Sequence, residues 1–245
     1  MCTVILGIDV VPDYPIFMAS NRDEQLERPS VGPEIFTREQ VNILAPRDLQ
    51  EGGTWLGLNQ FGVLTALTNR FGSTRNPDRF SRGDVVIQSL IRESASDAAA
   101  YVSGLQPDAY NPFHLITADH HAAHLIWSDG KDLHTEELGS GFHIITERSF
   151  EAAPTGREGL IRLRLDLMLA SRNLGLTDFE ALLAERIDGS MDGITVHMPE
   201  WGYGTRSSTI AGLGQQPLWR FADGSPDTTP YLPYDSLVAS LIAQS

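Results

Sequence analysis

The single cysteine of the sequence, Cys2, directly follows the first methionine. An initial methionine is normally removed when the second residue is small, and cysteine qualifies. Its removal would leave a thiol and a free α-amine on one carbon. The α-amine, with an ordinary pKa of about 8, can take the proton of its own side chain. Cys2 is therefore a candidate nucleophile that carries its own base, or else a small buried residue that happens to follow Met1.

Arg22 and Asp23 belong to a polar run that ends an apolar segment. Residues 4–8 and 16–20 predict two paired strands joined by a turn, which would place this polar run close to Cys2. An arginine beside a thiol lowers the thiol pKa, and an aspartate can hold the α-amine by a hydrogen bond. The alternative for the same run is a solvated turn.

Two further segments carry groups suited to an acyl substrate. Asn69 ends a predicted strand, where its side-chain amide can donate to a developing oxyanion. Arg206 offers a planar guanidinium that fits a carboxylate or a phosphate. Aromatic residues near these segments are core or hairpin candidates that could also line a pocket. Those that we assign to substrate binding are Trp55, Trp201 and Tyr203.

Blocks of strands and helices must position these residues. Besides the hairpin at the start of the chain, strands are predicted at 52–59, 62–69 and 204–213, with three short strands between 113 and 146. Helices are predicted at 82–93, 95–102, 158–173 and 177–186. Leucines at 160, 163, 167 and 174, with an alanine at 170, predict the buried stripe of the third helix. Hairpin strands in blocks separated by helices predict an α+β fold with mostly antiparallel sheets.

The composition restricts the classes of function. The chain has 245 residues, 41% of them hydrophobic, and a formal net charge of -14. These values suit a folded protein with a sizeable core, and we expect one domain over residues 1–245. The acidic excess argues against nucleic acid and anionic membranes as partners. Because no segment reads as a secretory signal or a membrane span, we expect a cytoplasmic protein that binds a small molecule.

Five segments, taken together and in this order, resemble the NRDE family, whose best-known members are called transport and Golgi organisation protein 2. They are Met-Cys-Thr-Val at 1–4, Asn-Arg-Asp-Glu at 21–24 followed by Arg28-Pro29, Gly-Gly-Thr-Trp-Leu-Gly at 52–57, Leu-Thr-Asn-Arg at 67–70 and Tyr-Gly-Thr-Arg-Ser-Ser-Thr at 203–209. The likeness covers residues 1–75 and 200–213, and it is looser between them.

This resemblance implies a four-layer αββα sandwich of the N-terminal-nucleophile hydrolase type, similar to the penicillin acylase and bile-salt hydrolase group. In that group the nucleophile is the exposed cysteine, which Cys2 matches. An arginine and an aspartate of the second strand line the site, as Arg22 and Asp23 do here. The resemblance also assigns an oxyanion-hole asparagine to Asn69 and a late arginine to Arg206.

Glu147 departs from the family pattern. Relatives tend to carry an asparagine at this place, after the strand that precedes the long helix, where it contributes to the oxyanion hole. A carboxylate there would repel an oxyanion unless it were protonated or turned away. We therefore include Glu147 among the residues that contact a substrate and treat it as an argument against ordinary amidase activity.

Two hypotheses follow. In the first, which we favour, Cys2 attacks a linear amide or ester of a small acyl substrate, Arg22 and Asp23 orient the nucleophile and the amine, and Asn69 stabilises the oxyanion. In the second, the protein binds or traffics haem, acyl-CoA or lipid without reaction. The family has been linked to haem handling and lipid metabolism, and a lone cysteine can ligate haem. No resident cofactor is expected; haem would be a transported ligand.

A metal site is not expected. His120, His121 and His124 flank a predicted turn, and strand alternation separates the directions of their rings. No further ligand has a suitable spacing, whereas zinc usually takes a closed tetrahedral set of four.

Overall fold

The structure, a computed structural model, describes residues 2–71, 75–150 and 156–243. Within these ranges the strands are β1 (Cys2–Val11), β2 (Tyr14–Gln25), β3 (Ser30–Arg38), β4 (Val41–Asp48), β5 (Leu56–Asn59), β6 (Leu64–Asn69), β7 (Phe113–Ala118), β8 (Ala123–Ser128), β9 (Leu133–Glu137), β10 (Gly141–Thr146), β11 (His197–Met198), β12 (Tyr203–Leu213), β13 (Leu218–Ala222) and β14 (Leu232–Pro233). The helices are α1 (Arg82–Leu90), α2 (Ala95–Ser103), α3 (Gly156–Ser171), α4 (Leu176–Leu183) and α5 (Asp235–Ile242). None of these helices is long and apolar enough to cross a membrane.

Contacts divide the chain into two compact units. The first comprises Met1–Arg28 and Ser140–Tyr234, and the second comprises Pro29–Gly139 and Asp235–Ser245. Each unit contains one sheet. The single domain expected over residues 1–245 stays a prediction.

The first unit has a sheet in the strand order β10-β1-β2-β12-β13-β14, with β11 beside β12, and neighbouring strands run antiparallel. Helices α3 and α4 cover one face, where Ile5, Phe17 and Ile210 of the strands meet Ile161 and Phe179 of the helices. Residues on the other face are buried as well, such as those at positions 4, 6 and 18. This double coverage explains the nearly continuous apolar run at the start of the chain.

The second unit has a sheet in chain order from β3 to β9, again with antiparallel neighbours. Helices α1 and α2 pack on it through a core that includes Val85, Leu90 and Leu115. Gly53 of the 52–57 segment has a packing reason, because a Cβ at this position would lie 2.8 Å from the carbonyl carbon of Gly83. Only a glycine allows this close backbone approach at the start of α1.

The predicted class, α+β with mostly antiparallel sheets, is confirmed, and two details of the prediction are wrong. Four strands rather than three lie between residues 113 and 146. In α3 the buried positions are Arg157, Ile161 and Leu165, whereas Leu163 and Leu167 of the predicted stripe are 55% and 53% exposed. The helix turns the row that contains Arg157 inward, because that arginine pairs with a buried carboxylate of the sheet.

Candidate active site around Cys2

Cys2 is the first residue of β1, where it lies directly opposite Arg22 of β2. Opposed residues of antiparallel strands project to the same face of a sheet, so the thiol and the guanidinium share a face. Cys2 is partly buried, and the backbone N–H of Asp23 donates to its sulfur. The hairpin predicted from the sequence therefore brings the polar run next to Cys2.

The polar run is part of a buried strand rather than a solvated turn. Asn21, Arg22 and Asp23 are 1%, 5% and 2% exposed. Strand alternation places Asn21 and Asp23 on the helix-covered face, opposite to the face of the thiol. The amide of Asn21 donates to the backbone oxygens of Leu183 and Ile194, both at 2.9 Å. Asn21 therefore ties β2 to the chain around α4.

The carboxylate of Asp23 is fully enclosed and accepts two hydrogen bonds. Its Oδ2 accepts from Nη1 of Arg157 at 2.9 Å, and its Oδ1 accepts from Oγ1 of Thr205 at 2.7 Å. The backbone carbonyl of Asp23 accepts from the hydroxyl of Tyr203 at 2.9 Å. These bonds hold Asp23 in one position, although sequence reasoning identified neither Arg157 nor Thr205 as its partner.

Arg157 lies in the first turn of α3, and its side chain is 3% exposed. Besides Asp23, it donates to Oγ1 of Thr3 at 3.2 Å and to the backbone oxygen of Met191 at 2.6 Å. Burial lowers the pKa of Arg157, but the charges of Asp23 and Glu147 outweigh it and raise that pKa above its usual value. Arg157 is thus a permanent buried cation that joins β1, β2 and the chain before β11.

Glu147 directly follows β10, whose last residue, Thr146, pairs with Thr3 of β1. This register places Glu147 beside the start of β1. Its Oε2 lies 4.0 Å from Nη1 of Arg157, and its side chain is 9% exposed. Among the described residues Oε2 has no hydrogen-bond partner. A buried carboxylate oxygen without a hydrogen bond is costly, so Oε2 of Glu147 could accept a hydrogen bond from a ligand.

The thiol of Cys2 has an unfavourable environment for ionisation. Burial raises its pKa, the charge of Asp23 acts in the same direction, and Arg22 acts in the opposite direction. The expectation that Arg22 lowers the thiol pKa therefore has the right sign for that one contact, but burial decides the net shift. A protonated thiol at neutral pH needs a base before it can act as a nucleophile.

Tyr203 and Trp201 differ in their surroundings. Burial first, and then the charges of Asp23 and Cys2, raise the pKa of the Tyr203 phenol, so its hydroxyl stays a donor. Trp201 ends a 3₁₀ turn at Pro199–Trp201 and is 60% exposed. The structure therefore places Tyr203 inside the site and leaves the Trp201 ring at the surface.

Arg206 sits at an irregularity of β12. The pairing with β2 shifts between Thr205 and Ser207, so Arg206 is the extra residue of a bulge. Its Nη1 donates to Oδ1 of Asp223 at 2.9 Å. The predicted role of Arg206 toward a ligand stays a prediction, and a ligand carboxylate would compete with Asp223 for the guanidinium.

Ser207 is a further residue that sequence reasoning did not single out. It lies directly opposite Arg22 and so shares the sheet face of Cys2. It is 1% exposed, and its hydroxyl has no hydrogen-bond partner among the described residues. The hydroxyl is thus a polar group on the same face of the sheet as Cys2, with capacity for a hydrogen bond.

Asn69 and Trp55 belong to the second unit. Asn69 is the last residue of β6 and pairs with Phe113 of β7. Trp55 precedes β5, and its backbone oxygen accepts from the N–H of Leu67 at 2.8 Å. Their assignment to the oxyanion hole and to substrate binding stays a prediction.

The described ranges contain no cluster of three or more His, Cys, Asp or Glu side chains arranged to hold a metal ion. Of His120, His121 and His124, the last has its Nε2 3.1 Å from the hydroxyl of Ser96.

Solved structures define the class of fold. The chain is similar over 95% of its length to all of a Caenorhabditis elegans orthologue of N-acylethanolamine-hydrolysing acid amidase, with a TM-score of 0.63 and 15% identity. It is also similar over 96% of its length to 93% of a conjugated bile acid hydrolase from Clostridium perfringens, with a TM-score of 0.62 and 11% identity. The fold is therefore of the N-terminal-nucleophile hydrolase type, as the motifs implied.

The family follows from the sequence. The family model described as Transport and Golgi organisation 2 matches residues 1–223, and the chain belongs to this family. A mouse relative, Transport and Golgi organization 2 homolog, is 35% identical over 128 residues, which are 49% of this chain and 45% of the relative. The human homolog is 32% identical over 126 residues, again 45% of its length. The chain thus matches less than half the length of these curated relatives.

Proposed function

We propose that the protein is a cysteine N-terminal-nucleophile amidohydrolase that cleaves a linear amide, or an ester, of a small acyl substrate. The observation that carries this proposal is the position of Cys2 at the start of β1, with Arg22 opposite it and the N–H of Asp23 on its sulfur. The two similar solved structures support it, since one is named as an amidase that hydrolyses N-acylethanolamines and the other as a conjugated bile acid hydrolase. A cytoplasmic location and a small-molecule substrate belong to the same proposal.

The reaction begins once Met1 has been removed and the α-amine of Cys2 is free. This amine takes the proton of the thiol, and the thiolate attacks the carbonyl carbon of the substrate. The carbon–nitrogen bond then breaks, and the departing amine receives the proton from the α-ammonium group. The remaining thioester is attacked by a water molecule whose proton passes to the α-amine. The sulfur–carbon bond breaks, and the free acid leaves.

The raised pKa of the buried thiol makes this internal base necessary. Arg22 shares the face of Cys2 and offsets the charge of the thiolate. Asp23 holds the sulfur of Cys2 in place through its backbone N–H. We assign the oxyanion donor to Asn69, on the basis of its place in the family motif. Tyr203 fixes the backbone at Asp23 by donating to its carbonyl.

A panel of N-acyl amides with different acyl lengths tests the proposal. Wild-type protein should release the amine, Cys2→Ala should not, and Cys2→Ser should react far more slowly. Cysteine, alanine and serine at position 2 are all small, so Met1 should be removed from all three proteins. They then differ only in the nucleophile. Equal turnover by wild type and Cys2→Ala, or none by wild type on the whole panel, contradicts the proposal.

One observation favours a second function, the binding or trafficking of haem, acyl-CoA or lipid without hydrolysis. The buried carboxylate of Glu147 stands next to the start of β1, where a negative charge would repel an oxyanion. Saturable binding of haem or of an acyl-CoA that is lost in Cys2→Ala, with no turnover on the amide panel, would establish this function. The absence of any spectral shift with haem and of any acyl-CoA binding would exclude it.

A further inference from the structure

We propose that Arg157 is a positioning residue of the Cys2 site, which offsets the charges of Asp23 and Glu147 and so sets how readily the thiol ionises. The effect of Arg157 on catalysis rests on the proposed hydrolase function. The thiol itself can be observed without any substrate, so the two ideas can fail separately.

The contacts of Arg157 place it between the nucleophile's strand and the two carboxylates. Its Nη1 is 2.9 Å from Oδ2 of Asp23, 3.2 Å from Oγ1 of Thr3 and 4.0 Å from Oε2 of Glu147. Thr3 is the residue next to Cys2, and Asp23 donates its N–H to the sulfur. One guanidinium therefore reaches both strands that hold the thiol.

Arg157 affects the ionisation of the thiol because it balances the charges of two carboxylates. Two carboxylates and one guanidinium are enclosed together, with exposed side-chain fractions of 0% for Asp23, 9% for Glu147 and 3% for Arg157. A charge at short range in such a site is screened little by solvent. Without the guanidinium, the carboxylates would oppose a negative charge on the neighbouring sulfur.

Other charged or titratable groups around the thiol have to be considered with it. They are Arg22, Asp23 and Glu24 of β2, Tyr203 of β12, Glu147 and its half-exposed partner Arg148 beyond β10, and Arg157 of α3. Arg22 acts from the thiol's own face of the sheet, whereas Arg157 acts from the helix side through Asp23. The two arginines therefore make separate contributions that substitution can distinguish.

Alkylation of the protein by iodoacetamide tests this role, because Cys2 is the only cysteine and the rate reports on one thiol. The rate should be measured against pH, with intact mass used to confirm the same processing of Met1 in every variant. In Arg157→Gln the midpoint of the profile should rise by about 0.5 to 1 pH unit. Arg157→Lys, which keeps the charge, should shift it less.

The double variant Arg157→Gln with Glu147→Gln separates charge from structure. Removing one carboxylate restores the balance, so its midpoint should return toward that of wild type. The control is Arg164→Gln, which removes another arginine of α3 that pairs with Glu185 away from the site, and it should leave the midpoint unchanged. A folded Arg157→Gln with the wild-type midpoint, or a double variant that stays shifted, overturns the proposal. If Arg157→Gln does not fold, the comparison is made in the Glu147→Gln background, where adding Arg157→Gln should raise the midpoint and an unchanged midpoint overturns the proposal.

Discussion

Arg157 and Asp23 form an ion pair in the interior of the first unit, with 2.9 Å between Nη1 and Oδ2 and with the Asp23 side chain fully excluded from solvent. The pair fastens the start of α3 to the strand that lies beside Cys2. A helix terminus and the candidate nucleophile are therefore linked through two side chains that are 134 residues apart in the sequence.

This ion pair should contribute strongly to stability. Asp23→Ala leaves the guanidinium of Arg157 buried without its main partner, and we expect the free energy of unfolding to fall by about 3 to 5 kcal/mol. Urea unfolding measures the change. The control is Glu24→Ala on the same strand, whose partly exposed pair with Arg28 at 3.5 Å should be worth less than about 1 kcal/mol. Equal losses in the two variants would contradict the role of the buried pair.

The inward face of α3 can be tested by two substitutions one half-turn apart. Ile161 is fully buried, so Ile161→Ala should lower the free energy of unfolding by about 3 kcal/mol through lost contacts and a cavity. Leu163 is 55% exposed, and Leu163→Ala should change it by less than about 1 kcal/mol. Denaturant titration of both variants and of wild type measures these changes in the free energy of unfolding. A larger loss of unfolding free energy in Leu163→Ala than in Ile161→Ala would show that the leucine row predicted from the spacing is the buried one.

Glu147 should limit hydrolysis. Glu147→Gln replaces a charge that opposes the oxyanion with an amide that can donate to it, and we expect kcat/KM on a cleavable amide to rise about tenfold or more. Steady-state kinetics with wild type and variant measures this. A comparison variant is Glu136→Gln, on an exposed position of β9, which should leave kcat/KM unchanged. A fall in kcat/KM of Glu147→Gln would show that the carboxylate takes part in the reaction.

Asp119 should make part of the stability depend on pH. Burial raises its pKa, but N–H donors from Ala95, His121 and Ala122 together lower it below its usual value. Because the folded-state pKa is the lower one, the stabilisation is complete above about pH 4 and is lost as the pH falls through the folded-state pKa. Asp119→Asn should cost about 1 to 2 kcal/mol at pH 7, and less at acid pH.

Urea unfolding of Asp119→Asn and wild type at pH 7 and at about pH 3 tests this dependence. The exposed Asp188 provides a control, since Asp188→Asn should have little effect at either pH. A cost for Asp119→Asn that is the same at both values, or that grows in acid, would be inconsistent with the sign of the pKa shift.

The first hairpin and the site residues on it could be predicted from the sequence, because the pattern that defines them lies within one short segment. The apolar pattern places β1 and β2, and the hairpin then brings Arg22 opposite Cys2. The partner of Asp23 could not be predicted in this way. Arg157 precedes the predicted helix at 158–173, and the leucines of that helix satisfy helical spacing along more than one row.

A signal for Arg157 is nevertheless present in the sequence. Positions 157, 161 and 165 form a row at four-residue spacing that contains an arginine and two apolar residues, and this is the row that the structure buries. An arginine in such a row can be buried only if a carboxylate in the interior pairs with it. The direction of the pKa shift of Cys2 could not be predicted either. The sequence shows the neighbouring charge of Arg22, but the burial that raises the pKa depends on the packed structure.

Intact mass of the protein, quenched in acid during incubation with an activated acyl ester, shows whether Cys2 is an N-terminal nucleophile. We expect a mass that lacks Met1 and carries one acyl group, which is absent in Cys2→Ala. A chain that retains Met1 and forms no adduct at Cys2 would exclude Cys2 as an N-terminal nucleophile.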